Sequence, residues 1–165
     1  MRRFALFVLA AALLQFATAR EADATCLGLG CSCSVTASDV AFGAFEPLDN
    51  SALDSTGIVE VTCGALVLGL LVAYDIELST GGAGGFVPRR MSNGTHTLNY
   101  NLYRDAGRTQ VWGNGGGGTF RVSDSYLLTV NNTKRSYTIH GRIPATPDAR
   151  PGAIYTDNLV ARIIF

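Results

Sequence analysis

The chain has 165 residues, of which 47% are hydrophobic and 16% charged, and its 13 basic and 13 acidic side chains give a formal net charge of zero. This is the length of one ordinary domain, and the apolar fraction is high enough to form a core. Because the basic residues never run longer than a pair, as at Arg89-Arg90 and Lys134-Arg135, the sequence argues against a binding surface for nucleic acid or an anionic membrane.

The N-terminus has the pattern of a secretory signal peptide. Arg2-Arg3 precede the apolar run 4–16, and Ala17-Thr18-Ala19 fits a small-x-small cleavage site. The apolar run is too short for a stable membrane anchor. We therefore predict that 1–19 is a signal peptide, with cleavage after Ala24 as the alternative, and that the exported chain keeps no transmembrane anchor. Loss of the two arginines would leave the mature chain with a net charge of −2.

Four cysteines would remain after cleavage, and an even number in an exported chain predicts disulfides. They are Cys26, Cys31, Cys33 and Cys63. A zinc site is not expected, because Cys31-Ser32-Cys33 has no second cluster and no histidine nearby. Of the three possible pairings we favour Cys33 with Cys63, which would join the first two strands, and Cys26 with Cys31, which would close a small loop. The other two pairings remain open.

Beyond Cys33 the sequence alternates between apolar and polar residues in short segments, separated by glycine, asparagine, aspartate and proline. This period-two pattern predicts β-strands. The predicted strands are 34–37, 40–45, 57–63, 73–79, 98–103, 109–112, 126–130 and 136–143. The polar run 49–56 and the glycine-rich runs 81–85 and 113–118 are predicted to be loops. Since no stretch after the signal peptide has a sustained helical period, the predicted fold class is an all-β sandwich.

One apolar stretch, 64–74, does not alternate and is too short to span a bilayer. One interpretation is a strand buried on both faces, or a hairpin folded into the core. The other is an exposed apolar loop, which would mark a contact site on an exported protein. The candidate contact residues are Leu66, Val67, Leu68, Leu70 and Leu71.

The last 13 residues, 153–165, predict one more strand with a core-facing side. The residues on that side, interrupted only by Asp157, are Tyr155, Leu159, Ala161, Ile163 and Phe165. An apolar strand with an open edge is a template for aggregation, so we expect another segment to lie beside it.

The sequence offers little for catalysis. His96 and His140 are isolated, and we find no nucleophile elbow, metalloprotease motif or paired carboxylates. The glycine run 113–118 lacks the lysine and hydroxyl residue of a phosphate-binding loop. We therefore predict that the protein is not an enzyme and uses no cofactor or metal.

Taken together, these segments resemble the spore coat protein U family, secreted bacterial pilus subunits that are assembled by the archaic chaperone–usher route. Two of the matching stretches are Val59-Glu60-Val61-Thr62-Cys63 and Leu98-Asn99-Tyr100-Asn101-Leu102-Tyr103. The remaining matching stretches are 33–37, 40–45 with Pro47, 77–81, 103–105, 109–113, 137–144 and 155–157. The resemblance covers 33–165, which we take as the pilin domain, preceded by a short extension, 20–32.

The resemblance implies an immunoglobulin-like sandwich that lacks its final strand and has a hydrophobic groove in its place. A periplasmic chaperone would fill the groove first, and the N-terminal strand of a neighbouring subunit would replace it at an outer-membrane usher. The groove residues implied on this chain are Leu159, Ala161, Ile163 and Phe165. The protein would pass through the periplasm to the cell surface and act in adhesion and biofilm formation.

Two departures from the family pattern favour a position at the fibre tip. The extension 20–32 offers only Leu27 and Leu29 in phase for donation to a neighbour, flanked by glycines that weaken a strand. The stretch 64–74 is also longer and more apolar than the family pattern. The alternative function is a self-contained exported domain that binds a glycan or surface polymer and covers its own groove with 20–32.

Overall fold

Eight β-strands and one turn of 3-10 helix make up the computed structural model over the residues it describes, which are 30–66, 71–128, 132–145 and 154–165. The strands in chain order are β1 (Cys31–Ala37), β2 (Leu53–Ala65), β3 (Leu71–Leu78), β4 (Arg89–Ser92), β5 (Thr97–Tyr103), β6 (Val122–Leu127), β7 (Thr133–Ile143) and β8 (Ala161–Ile164). The 3-10 turn is Pro47–Asp49.

The strands form two antiparallel sheets of unequal size. The larger sheet has the order β1-β2-β7-β5-β4, and the smaller one has the order β6-β3-β8. Along β2, residues that face the smaller sheet alternate with exposed ones, so that Val59 and Val61 are fully buried whereas Ile58 is half exposed. This is the pattern of a sheet with one buried face. The fold is an immunoglobulin-like β-sandwich, as predicted.

Trp112 joins the two sheets at the centre of the core. Its backbone N–H donates to the Leu102 carbonyl of the larger sheet at 2.9 Å, and its indole N–H donates to the Ile76 carbonyl of the smaller sheet at 2.9 Å. The side chain is completely buried, and its one polar atom has a partner. Trp112 therefore fixes how the sheets face each other.

The disulfide prediction is confirmed for one pair. Cys33 and Cys63 lie directly opposite each other in β1 and β2, and their sulfurs are bonded at 1.99 Å. Cys31 also takes part in a disulfide. Its predicted partner, Cys26, lies outside the described residues, as does the predicted signal peptide.

The predicted strand 40–45 is wrong. β1 ends at Ala37, where the Ser38 N–H still donates to the Ile58 carbonyl, and the chain then crosses the inner face of the larger sheet without pairing. It can approach closely because Gly57 and Gly141 leave room there: a Cβ on Gly141 would lie 2.8 Å from the Phe42 ring. Packing against the sheet face has replaced pairing along its edge.

One further strand prediction and one loop prediction need correction. Residues 109–112 form only single bridges, Tyr103 with Val111 and Trp112 with Phe120, because the tight turn at Asp105 brings the chain back past the end of β5. The predicted loop 49–56 is wrong at its second half, since β2 already begins at Leu53. Asp54 and Thr56 lie on the exposed face, where Asp54 pairs with Arg142 of β7.

At two places the structure has a strand where the sequence pattern predicted none. β4 was not predicted, because the inward residue that starts it is an arginine, Arg89. β6 begins at Val122 rather than at residue 126. Asp124 occupies an inward position of this strand and interrupts the apolar pattern, and its carboxylate accepts a hydrogen bond from the Tyr137 hydroxyl.

The predicted C-terminal strand 153–165 is shorter than expected and changes sheets. Thr156 exchanges two backbone hydrogen bonds with Ser92 of β4, at 2.9 and 3.0 Å, whereas residues 161–164 pair with β3. A segment that pairs first with one sheet and then with the other cannot remain one continuous strand. The predicted alternation is confirmed: Tyr155 and Leu159 pack against the core, and Val160 is exposed.

Candidate functional site

A groove opens on one side of the sandwich between two segments that belong to no strand over most of their length. We call residues 37–46 the N-terminal wall and residues 154–161 the C-terminal wall. Two adjoining cavities of about 460 and 470 Å³ lie between them, and Val40, Phe42 and Tyr155 line both cavities. The groove is therefore continuous along both walls.

The floor of the groove is the apolar core of the sandwich. Its side chains come from both sheets and are all buried: Leu78, Met91, Leu98, Tyr100, Leu102, Ile139 and Ile143. In the described part of the chain the larger sheet has five strands and the smaller has three, so part of the inner face of the larger sheet is covered there only by the two walls. The floor is the kind of surface that an apolar side chain would occupy.

The side chains of the N-terminal wall attach it to the larger sheet. Val40 and Phe42 pack on the inner face of the larger sheet over Gly57 and Gly141, and the Phe42 ring meets the Tyr100 ring edge to face at 6.1 Å. The Ser55 hydroxyl donates to the Ala41 carbonyl at 2.6 Å. These contacts fix the wall in place without using the backbone N–H groups of residues 39–45.

The C-terminal wall is tied to its surroundings at three places. Thr156 pairs with Ser92, the Asp157 carboxylate accepts a hydrogen bond from the Tyr100 hydroxyl at 2.7 Å, and Val160 bonds Ser79 through its N–H and its carbonyl. Burial, followed by the hydrogen bond to Asp157, raises the pKa of Tyr100, so that its hydroxyl stays protonated and donates at physiological pH.

Both walls contain backbone N–H groups that make no hydrogen bond within the described residues. In the described part of the chain, no backbone N–H of residues 39–45 donates a hydrogen bond, and neither does that of Tyr155, Asp157 or Leu159. β8, which continues the C-terminal wall, pairs only with β3 there, so one of its edges is also open. Open backbone donors beside an apolar floor are the two features that an added β-strand requires.

A buried arginine supports the end of the groove where β4 meets the loop after β3. Arg89 is fully buried and donates to the Ser79 carbonyl at 3.0 and 2.9 Å, to the Asn101 side-chain carbonyl at 2.8 Å and to the Trp112 carbonyl at 2.6 Å. Burial lowers its pKa to about 10, which still leaves it charged at neutral pH. Its hydrogen bonds connect the two sheets. Met91, two residues further along β4, points inward on the same side and forms part of the floor.

The structure separates the four residues expected in the groove. Leu159 and Ala161 line it. Ile163 is buried in the core behind it, and Phe165 is about half exposed. Phe165 packs edge to face on Tyr74 at 6.3 Å and belongs to a different depression, beside residues 123–125 of β6.

Sequence reasoning missed the other half of the groove, which consists of the N-terminal wall and the floor. Val40 and Phe42 were assigned to a strand, although their alternation is what places both side chains on the same inner surface. The available indication was the pair of glycines, Gly57 and Gly141, inside otherwise strong strand patterns, because glycine in a strand often marks the close approach of another segment.

Two of the five candidate apolar contact residues, Leu66 and Leu71, lie at the end of the sandwich away from the groove. Leu66 is 83% exposed and Leu71 is 62% exposed. Leu127, which lies directly opposite Leu71 in β6, is 65% exposed and adds to this apolar end. Val67, Leu68 and Leu70 lie outside the described residues.

Other kinds of site find no support in the described ranges. No group of three or more histidine, cysteine or acidic side chains there is arranged to hold a metal ion. In the same ranges, no helix has the length and apolar character needed to cross a membrane.

Comparison with known proteins identifies a family and a fold. A family model, the Spore Coat Protein U domain, matches residues 21–162. Among solved structures, the CsuC–CsuE chaperone–tip adhesion subunit pre-assembly complex, from archaic chaperone–usher Csu pili of Acinetobacter baumannii, contains a chain with a similar fold. The TM-score is 0.53 and the sequence identity 21%, over 82% of this chain and 40% of that one, so this chain spans less than half its length. None of the curated proteins matches the chain.

Proposed function

This chain belongs to the Spore Coat Protein U domain family, and we propose that it is a structural subunit of a chaperone–usher type surface pilus, completed by a β-strand from another chain. The observation that carries the proposal is the groove, which combines two walls of unpaired backbone with a buried apolar floor.

The chemistry of the groove favours a strand over a small molecule. An extended peptide can pair its backbone with an open wall while every second side chain fills the apolar floor. A small ligand would leave most of the unpaired backbone groups along the walls without a partner. The incoming strand would raise the smaller sheet from three strands to four and cover the exposed part of the larger sheet.

The partners follow from this mode of completion. A periplasmic chaperone supplies the strand during export, and the N-terminal segment of a neighbouring subunit supplies it in the fibre, with an outer-membrane usher as the place of exchange. The protein would travel from the periplasm to the cell surface. The solved complex with a similar fold, which pairs a chaperone with a tip adhesion subunit, supports this order of events.

We further propose that the subunit stands at the fibre tip and contributes to adhesion and biofilm formation. The supporting observation is the apolar end formed by Leu66, Leu71 and Leu127, whose exposed leucines would be unusual on a surface that only meets water. Because this end lies away from the groove, it would be free when the groove is filled. Immunogold labelling along the whole fibre would contradict the tip position.

The test of the groove compares two neighbouring residues of the C-terminal wall. Leu159 faces the groove, and Val160 faces outward with 57% of its surface exposed. We expect Leu159→Asp to abolish recovery of a chaperone complex when the two proteins are co-expressed in the periplasm, because the strand would have to bury a charge. Val160→Asp, the matched control, should leave recovery unchanged.

Equal recovery for both variants would contradict the groove assignment. If the wild-type chain is instead recovered as a stable monomer without any chaperone, and its groove takes up no added peptide strand, the self-contained exported binding domain becomes the better description. Gel filtration with and without the co-expressed chaperone distinguishes these outcomes.

A further inference from the structure

Asp157 is a carboxylate on the inward side of the C-terminal wall, where every other inward residue is apolar or aromatic. It lies between Tyr155 and Leu159, and all three side chains line the groove. The strand-addition function proposed above does not require an acidic residue here, and an acid beside an apolar floor costs free energy unless its oxygens have partners.

Both carboxylate oxygens of Asp157 have partners. One accepts from the Tyr100 hydroxyl at 2.7 Å. The other accepts from the backbone N–H of Gly82 at 2.8 Å and of Asn158 at 2.9 Å. Hydrogen bonds to an ionised group are about twice as strong as neutral ones, and two of these contacts, with Tyr100 and Gly82, attach the wall to residues outside it.

The loop after β3 is shaped to receive this carboxylate. A Cβ on Gly81 would lie 2.0 Å from one carboxylate oxygen of Asp157, and Gly81 has a φ of +75°, which other residues rarely adopt. Glycine at this position therefore lets the loop approach the carboxylate and aim the next N–H at it. The first two glycines of the run 81–85 thus form the binding position for the Asp157 carboxylate.

Tyr100 connects the two walls of the groove. It lies on the floor with 3% of its surface exposed, its ring meets Phe42 of the N-terminal wall, and its hydroxyl bonds Asp157 of the C-terminal wall. One residue of the floor therefore contacts both walls of the groove, and the distance between the walls depends on both contacts.

We propose that Asp157 is a positioning residue, which together with Tyr100 holds the C-terminal wall at the spacing that one β-strand needs before the strand arrives. The inference rests on the proposed function, since it concerns the same groove. A wall that is already in place loses less conformational entropy on binding, so its attachment adds to affinity beyond any contact that it makes with the incoming strand.

The experiment uses the exported full-length protein and, as the probe, a twelve-residue peptide that alternates valine or isoleucine with threonine. Tyr100→Phe removes only the hydroxyl and keeps the ring against Phe42. We expect it to weaken peptide binding by about tenfold, the value of one hydrogen bond to a charged group. Asp157→Ala should weaken binding further, and the double variant should be no worse than Asp157→Ala, because the two residues act through one contact.

Tyr103→Phe is the matched control, because Tyr103 is on the same strand, outside the groove, and its hydroxyl makes no hydrogen bond within the described residues. It should bind the peptide as the wild type does. Amide hydrogen exchange provides a second measurement: in Tyr100→Phe, exchange should rise in residues 154–160 and stay unchanged in β2 and β7. This pattern separates a positioning role from general destabilisation.

Wild-type binding with an unchanged affinity in Tyr100→Phe would overturn the positioning role and leave the proposed function standing. Faster exchange throughout β2 and β7 would also overturn it, by showing a general loss of stability. If the wild type fails to bind the peptide, the proposed function fails, and this inference fails with it.

Discussion

Arg89 shows how one residue can decide the local structure around the groove. Its guanidinium is fully buried without a carboxylate bonded to it, and three oxygens from three different segments accept its hydrogen bonds. Such a group is stable only while all its partners stay in place, because an unmatched buried charge or carbonyl costs several kcal/mol. The corner where β3, β4 and Trp112 meet is therefore fixed by a single cation.

We predict that Arg89→Met lowers the free energy of unfolding by about 3–5 kcal/mol, since it leaves the carbonyls of Ser79 and Trp112 buried without donors. Arg90→Met is the matched control, because Arg90 is the next residue and is exposed; it should change stability by less than about 0.5 kcal/mol. Urea unfolding of the two variants measures the difference. Equal stabilities would contradict the assigned role of Arg89.

This residue also shows a limit of sequence reasoning. An arginine pair with mixed neighbours is typical of a solvated surface, and the sequence contains nothing to indicate that three oxygens from residues 79, 101 and 112 surround the first arginine. The Cys33–Cys63 disulfide could be predicted, because it depends on two adjacent strands whose alternation is visible locally. Contacts made by distant segments could not be.

Among the structural elements, the N-terminal wall is the one whose conformation was mispredicted with the greatest consequence. Its alternation of apolar residues is real, yet the segment lies across a sheet face and pairs with nothing there. Alternation predicts which side chains are buried and does not predict which edge, if any, the backbone joins. The C-terminal segment shows the same limit, since its burial pattern was predicted and its change of sheet was not.

We predict that Gly141→Ala loosens the N-terminal wall. The added Cβ would lie 2.8 Å from both the Phe42 ring and Val40, closer than real Cβ contacts, and overpacking of this kind costs about 1–3 kcal/mol. The matched control is Gly85→Ala, where the nearest atom is the Pro88 carbonyl oxygen at 3.6 Å, an ordinary contact. Its stability should equal or slightly exceed that of the wild type.

Urea unfolding of both glycine variants gives the stability change, and near-ultraviolet circular dichroism reports the packing of Phe42 against Tyr100. If Gly141→Ala is as stable as Gly85→Ala, Val40 and Phe42 do not pack on that face, and the description of the N-terminal wall is wrong.

For the whole molecule, the imbalance between the two sheets connects the fold to its proposed function. In the described residues five strands face three, and most of the floor of the groove is the part of the larger sheet that only the two walls cover. The all-β sandwich could be predicted from composition and alternation, because every strand must bury one face against another layer. That one layer is smaller than the other is a property of the whole topology, and only the family resemblance indicated it beforehand.

The groove and the exposed leucines lie at opposite ends of β3. The groove lies beside the end of β3 at Leu78, and the exposed Leu66, Leu71 and Leu127 lie at its start. This placement of the groove and the exposed leucines supports the tip position proposed above. This arrangement does not depend on whether 20–32 can donate a strand.

The central claim is that the groove is completed by a strand from another chain, and backbone amide hydrogen exchange with and without the alternating peptide tests it most directly. We expect the backbone amides of residues 39–45 and of Tyr155, Asp157 and Leu159, which make no hydrogen bond within the described residues, to exchange rapidly in the free protein and to become protected when the peptide is bound, whereas β2 and β7 are protected in both states. Protection of these amides in the free protein, or no gain on adding the peptide, would contradict the claim.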